Sequence, residues 1–146
     1  MASIHLIFKE DSEISSFLFL FGGIIVSGSD VMSLKDWIQE SNNIVFFGGA
    51  GVSTESNIPD FRSDNGLYKK KYPYPAEIML SHSFYLSHPK EFFEFYFNQM
   101  IYPDAQPNKA HYALSKLEKM GKLKGIVTQN IDGLHQMAGS KKVYEL

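Results

Sequence analysis

A chain of 146 residues with 44% apolar content has material for one domain and a core of ordinary size. Its formal charge of −2 and its scattered lysines, with short runs only at 69–71 and 141–142, provide no basic face that demands nucleic acid. The absence of cysteine excludes, within this stretch, a disulfide framework, a cysteine nucleophile and a cysteine-ligated zinc site, and it fits a cytoplasmic protein.

Near the N-terminus, SSFLFLFGGIIVSGS (15–29) carries an apolar run of about ten residues, too short to cross a bilayer as a helix. It has the length of a signal-peptide core, but Lys9 before it is outweighed by Glu10, Asp11 and Glu13. No membrane partner is expected. Met32 opens MSLKDWIQESNNIVFF as a protein start would. Residues 1–31 therefore read first as an upstream extension, with a signal peptide or an added strand or helix as the other readings.

Residues 33–40 predict a short amphipathic helix, capped by Ser33, with Leu34, Trp37 and Ile38 on one face. The apolar run 44–47 before glycines predicts a buried strand. Residues 57–75, rich in Asn, Asp, Pro, Gly and Lys, predict a long loop of the kind that carries function. HPKEFFEFYFNQM (88–100) predicts a helix with Pro89 in its first turn, whose aromatic residues cover more than one face and mostly serve core or interdomain packing. Residues 108–120 predict a helix whose apolar stripe is Ala110, Ala113, Leu114, Leu117 and Met120, ended by Gly121. A strand at 123–128, a short helix at 132–138 closed by Gly139, and a strand beginning at 142 complete the pattern. Strands alternating with helices imply an α/β fold with a parallel sheet covered on both faces.

In such a sheet, ligands bind beyond the C-terminal ends of the strands. Two stretches fall there. In GGAGVSTES (48–56), Gly49 and Gly51 allow a tight turn and close backbone approach to a phosphate; a plain strand-to-helix turn is the simpler alternative. The dinucleotide fingerprint of dehydrogenases is not met. Thr54 stands where its third glycine belongs, and no acidic ribose hook ends a second strand about twenty residues on. In TQNIDGLH (128–135), Gln129, Asn130 and Asp132 are polar groups suited to a ribose or a carboxamide, while helix capping is the simpler reading of Asp132. His135 reads as a packed helix histidine, and His82, His88 and His111 receive no role.

Taken together, GAGVSTESNIPDFRS (49–63) and TQNIDGLHQMAGS (128–140) resemble the sirtuin family, the NAD-dependent protein-lysine deacylases, and most closely its compact bacterial members. The resemblance covers residues 32–146, as the N-terminal part of a sirtuin-like catalytic domain. It implies a Rossmann-like sheet, here incomplete, plus the helical part of a smaller domain.

It also implies roles for particular residues. Ala50, Gly51 and Thr54 would line the NAD phosphate and ribose site. Asp60, Phe61 and Arg62 would sit in the cofactor loop, with Phe61 shielding the nicotinamide ribose and Arg62 holding the loop. Gln129 and Asn130 would contact that ribose. Ile131 and Asp132 would form the carboxamide pocket. The implied reaction moves an acyl group from lysine to ADP-ribose as nicotinamide leaves, on an acyl-lysine protein or peptide. The family's general-base histidine would follow Leu146, and its zinc cysteines would come later still. The chain itself is accordingly expected to be inactive, with a non-catalytic fragment that binds NAD weakly or does not fold as the alternative and a dehydrogenase further behind.

Gly48 and Asn57 depart from the family's usual threonine and glycine. Phe95 and Asn98 occupy the places of the Tyr-x-x-Arg pair that reads acidic acyl tails, and Arg62 is the sole arginine. An uncharged acyl group is expected.

Overall fold

The computed structural model describes the backbone of residues 5–11, 14–20 and 28–146, and side chains from Leu34 onward. Residues 21–27 of the apolar stretch 15–29 lie outside the described residues.

Five strands form one sheet: β1 (His5–Asp11), β2 (Ile14–Leu20), β3 (Ile44–Gly48), β4 (Leu123–Thr128) and β5 (Val143–Glu145). The spatial order is β2-β1-β3-β4-β5. The β3, β4 and β5 strands run parallel, as the alternation of strands and helices predicts. The β1–β2 hairpin adds two antiparallel strands, with Leu6 opposite Phe47 and Lys9 opposite Ile44. Part of the extension at 1–31 thus forms strands that extend the sheet beyond β3, the reading ranked behind an upstream extension.

The helices are α1 (Gly28–Glu40), α2 (Ala76–Met79), α3 (His82–Ser87), α4 (Pro89–Gln99), α5 (Lys109–Lys119) and α6 (Leu134–Met137). Ser33 does not cap α1, because the helix starts five residues earlier. The Lys122 ammonium closes the other end of α1, donating to the carbonyls of Ile38, Gln39 and Ser41 at 3.0, 2.6 and 3.0 Å. A cation there satisfies orphan carbonyls and opposes the negative end of the helix dipole. Among the described residues, no helix is long and apolar enough to cross a membrane.

Two cores form. Ile44, Phe46, Val52, Leu123 and Ile126 make the sheet core, with Ile38, Leu114 and Leu117 packed against it. Ala76, Met79, Phe84 and Phe95 make a second core with Tyr68, Tyr72 and Phe92, which matches a separate helical portion. Phe95 of α4 is buried in this core, while Phe93 and Phe97 are exposed and stack on one another with ring centroids 5.9 Å apart.

The face that α5 buries differs from the predicted stripe. Ala110, Ala113 and Met120 are exposed, while His111 and Ser115 are fully buried beside half-buried Leu114 and Leu117. The helix is rotated because Asn108 and His111 form a capping box: the Asn108 side chain accepts the Ala110 N–H at 2.9 Å, and His111 Nδ1 accepts the Asn108 N–H at 3.2 Å. That reciprocal pair turns His111 inward, and Ser115, one turn on, follows it.

Candidate functional site

β3 and β4 lie side by side and end together, with Gly48 opposite Thr128. The chain leaves β3 through Gly49 into a 3-10 turn over Ala50–Ser56. It leaves β4 into 129–133, held by the Gln129 N–H on the Gly48 carbonyl at 3.1 Å and the Asn130 N–H on Thr128 Oγ1 at 3.0 Å. The two motifs therefore meet where a parallel sheet binds ligands.

Glycine at 48 and 49 has local reasons. A Cβ at Gly48 would fall 2.5 Å from the Phe46 ring, so threonine there would require that ring to turn. A Cβ at Gly49 would come within 3.3 Å of Gln129 Oε1. Asn57 adopts the left-handed conformation, φ 63° and ψ 23°, and closes the 3-10 turn. Asparagine tolerates that region better than most residues, which accounts for its standing in for glycine.

A polar network joins the motifs. Ser53 Oγ donates to Asp132 Oδ2 at 2.5 Å, and Asn130 Nδ2 donates to Ser53 Oγ at 3.1 Å and to Asp132 Oδ2 at 3.3 Å. Asp132 Oδ1 accepts the Leu134 N–H at 2.9 Å. Asp132 thus closes an Asx turn ahead of α6 with one oxygen and faces the network with the other; the N-cap position itself falls to Gly133 rather than to Asp132, because the helix starts at Leu134. On the far side, the Asn108 amide donates to the Val52 carbonyl at 2.7 Å and to Ser56 Oγ at 3.1 Å, clamping the 3-10 turn onto α5.

Above the network a small cleft of about 80 Å³ is walled by Ala50, Ser53, Ile58, Pro59, Phe61, Leu67, Gln99, Met100, Tyr102 and residues 129–132. Of the residues singled out in the sequence, Ala50, Phe61, Gln129, Asn130, Ile131 and Asp132 come together in this wall. Gly51, Thr54, Asp60 and Arg62 lie outside it. The Thr54 hydroxyl donates to the Gly51 carbonyl at 3.0 Å, and Arg62 is exposed.

Asp60 is buried and shapes the loop. Its Oδ1 accepts the Ser63 N–H at 3.0 Å, and its carbonyl accepts the Leu67 N–H at 2.8 Å. A Cβ at Gly66 would meet backbone atoms of Phe61 and Arg62 at 2.7 Å, so this closure admits only glycine without a backbone shift. The closed loop sets the Phe61 ring 5.3 Å from Tyr68. Phe95 is buried in the helical core and Asn98 is exposed on α4, and neither lines the cleft.

Ser53 and His111 were missed in the sequence. Ser53 is fully buried yet pairs with Asp132, 79 residues away, and nothing local marks it. His111 had a usable signal, the Asn-x-x-His spacing of a capping box. Burial lowers its pKa, and the Asp132 carboxylate opposes that in part. Among the described residues, no group of three or more His, Asp or Glu is placed to hold a metal ion.

A parallel sheet with a cleft beyond the ends of two adjacent strands, polar at its base and apolar at its walls, defines an α/β, Rossmann-like domain. Comparison with known proteins gives the family. The Sir2 family model matches residues 49–146, and the chain belongs to the Sir2 (sirtuin) family.

It is 67% identical over 118 residues to an NAD-dependent protein deacetylase of Clostridium acetobutylicum, covering 80% of this chain and 48% of that protein. A protein of the same description from Clostridium tetani is 67% identical over 116 residues, covering 78% of this chain and 47% of the relative. A solved Sir2 homolog–NAD complex superposes with a TM-score of 0.67 at 39% identity, over 79% of this chain and 44% of that one. The chain spans about half the length of the curated relatives it matches.

Proposed function

We propose that this chain is the NAD-binding part of an NAD-dependent protein-lysine deacetylase, which transfers an acyl group from lysine to ADP-ribose and releases nicotinamide. The observation that carries the reading is the Ser53–Asp132–Asn130 network at the base of the cleft. A carboxylate acceptor beside an amide suits the nicotinamide carboxamide, and the apolar faces of Ile58, Pro59, Phe61 and Ile131 suit its ring. Family membership and the relatives' descriptions support the same assignment.

In this reading Ala50, Gly51 and Thr54 serve the phosphate and ribose side, and the loop with Asp60, Phe61 and Arg62 covers the nicotinamide ribose. Gln129 and Asn130 bind that ribose. Ile131 and Asp132 hold the carboxamide. The acyl-lysine carbonyl oxygen forms a bond to the ribose carbon as the bond to nicotinamide breaks. A dry, shaped pocket favours that charge development more than a strong nucleophile would.

The substrate is an acyl-lysine peptide or protein, and the acyl group is uncharged. Among the described residues that wall the cleft, the charged one is Asp132, which would repel an acidic tail. A solved Sir2 structure with a propionylated peptide supports a peptide substrate. Cytoplasmic location is part of the proposal.

The test is calorimetric titration of NAD into the chain, followed by nicotinamide release with and without acetyl-lysine peptide. Saturable NAD binding is expected, weakened by Asp132→Asn. Release is expected on a form extended to the relatives' length, and only with the peptide. NADH formation with an alcohol or hydroxy acid would instead identify a dehydrogenase.

A further inference from the structure

We propose that α5 and α6 enclose a binding site for one ordered water molecule, held by His111 Nε2, Ser115 Oγ and Ser140 Oγ. His111 and Ser115 stand one turn apart on the buried face of α5, 0% and 2% exposed. Ser140, 5% exposed, follows Gly139, where an added Cβ would lie 3.3 Å from Ser115 Oγ. The His111 ring meets that of His135 on α6, with centroids 4.8 Å apart. His111 and Ser115 thus lie on the face of α5 that meets α6, Ser140 follows the end of α6 beside it, and none of the three named atoms has a hydrogen-bond partner among the described residues.

The chemistry of the set selects the ligand. His111 Nδ1 accepts the Asn108 N–H, so the proton of the neutral ring sits on Nε2. Nε2–H is then a donor in need of an acceptor, and each serine hydroxyl both donates and accepts. A water accepts from Nε2 and serves both hydroxyls, the three-bond pattern usual for buried water. A metal ion does not suit a ring nitrogen that carries a proton. A serine hydroxyl turned toward the ring would satisfy one atom and leave another unpaired.

The place of this site gives it a consequence for the cleft. The residue before α5, Asn108, clamps the 3-10 turn that carries Ser53. The helix α6 begins just after Asp132. Water between the two helices sets the spacing of the elements that hold the Ser53–Asp132 pair. This inference stands on packing and tautomer alone and is independent of the proposed activity.

The test is solution NMR on the whole chain. Long-range proton–nitrogen spectra identify which His111 nitrogen is protonated, and a water-selective rotating-frame experiment reads contact at its Nε2 proton. A protonated Nε2, with a contact to water that outlives bulk exchange, is expected. The double change Ser115→Ala with Ser140→Ala should remove that contact. Protonation at Nδ1, or an Nε2 proton with no contact to long-lived water in the unaltered chain, would overturn the proposal whether or not the variant folds.

Discussion

Both oxygens of Asp132 are engaged before any ligand arrives, one by the α6 backbone and one by Ser53 and Asn130. The carboxylate is therefore fixed in place, and a ligand need not spend binding energy ordering it. Ser53→Ala removes one charge-assisted donor while leaving the fold's apolar contacts. A loss of about 1–2 kcal/mol, roughly 5- to 30-fold in NAD affinity, is expected by calorimetry. In a form extended to the relatives' length, Asp132→Asn should weaken nicotinamide-dependent steps more than peptide binding; equal loss of both would remove the carboxamide role. His111 supplies a pH test. Its folded pKa lies below the ordinary value, so below about pH 6.5 the unfolded chain takes up a proton that the folded chain refuses. The stability due to this group is complete above that pH and falls as pH drops toward the folded pKa. His111→Gln keeps a residue able to close the capping box and removes the titration. Denaturant melts from pH 7.5 to 5 should show a shallower acid loss in the variant than in the parent.

At the level of elements, much was written locally and some was not. The strand at 123–128 and the start of α4 at Pro89 follow from apolar runs and proline chemistry, and both stand where expected. The network face of α5 was misread because periodicity counts apolar residues, whereas the capping geometry at Asn108 turned a histidine and a serine inward. The site motifs were legible as sequence, and Ala50, Phe61, Gln129, Asn130, Ile131 and Asp132 do gather at one cleft. Ser53 was not legible, since its partner is set by the β3–β4 register rather than by any nearby residue. The same holds for the closure of α1 by Lys122, 84 residues from the Ile38 carbonyl it meets. Lys122→Met keeps most of the stem and loses three bonds to helix-end carbonyls. About 1–2 kcal/mol of destabilisation is expected, allowing for partial exposure, with a lower urea midpoint and an unchanged m-value.

For the molecule as a whole, the sheet is parallel across β3, β4 and β5 and antiparallel where β1 and β2 join it. That hairpin occupies the β3 edge, which an unpaired strand would leave open to other chains. If the cleft binds NAD only in the folded state, the ligand stabilises the whole chain by mass action. At a free concentration one hundred times Kd the gain should be about 2.7 kcal/mol, read as a rise in Tm. Asp132→Asn should reduce that rise without abolishing the folding transition itself.

The bonds that assemble the cleft span long stretches of chain: 79 residues for Ser53 to Asp132, 77 for Asn130 to Ser53 and 56 for Asn108 to Val52. None can form until those stretches have been brought together, and contacts of such separation are the slow ones to make. The cleft should therefore be complete only after the folding barrier has been crossed. In that case NAD leaves the refolding limb of a chevron plot unchanged and slows the unfolding limb alone. A ligand that binds there acts as a latch on a finished structure, lengthening its lifetime without hastening its formation.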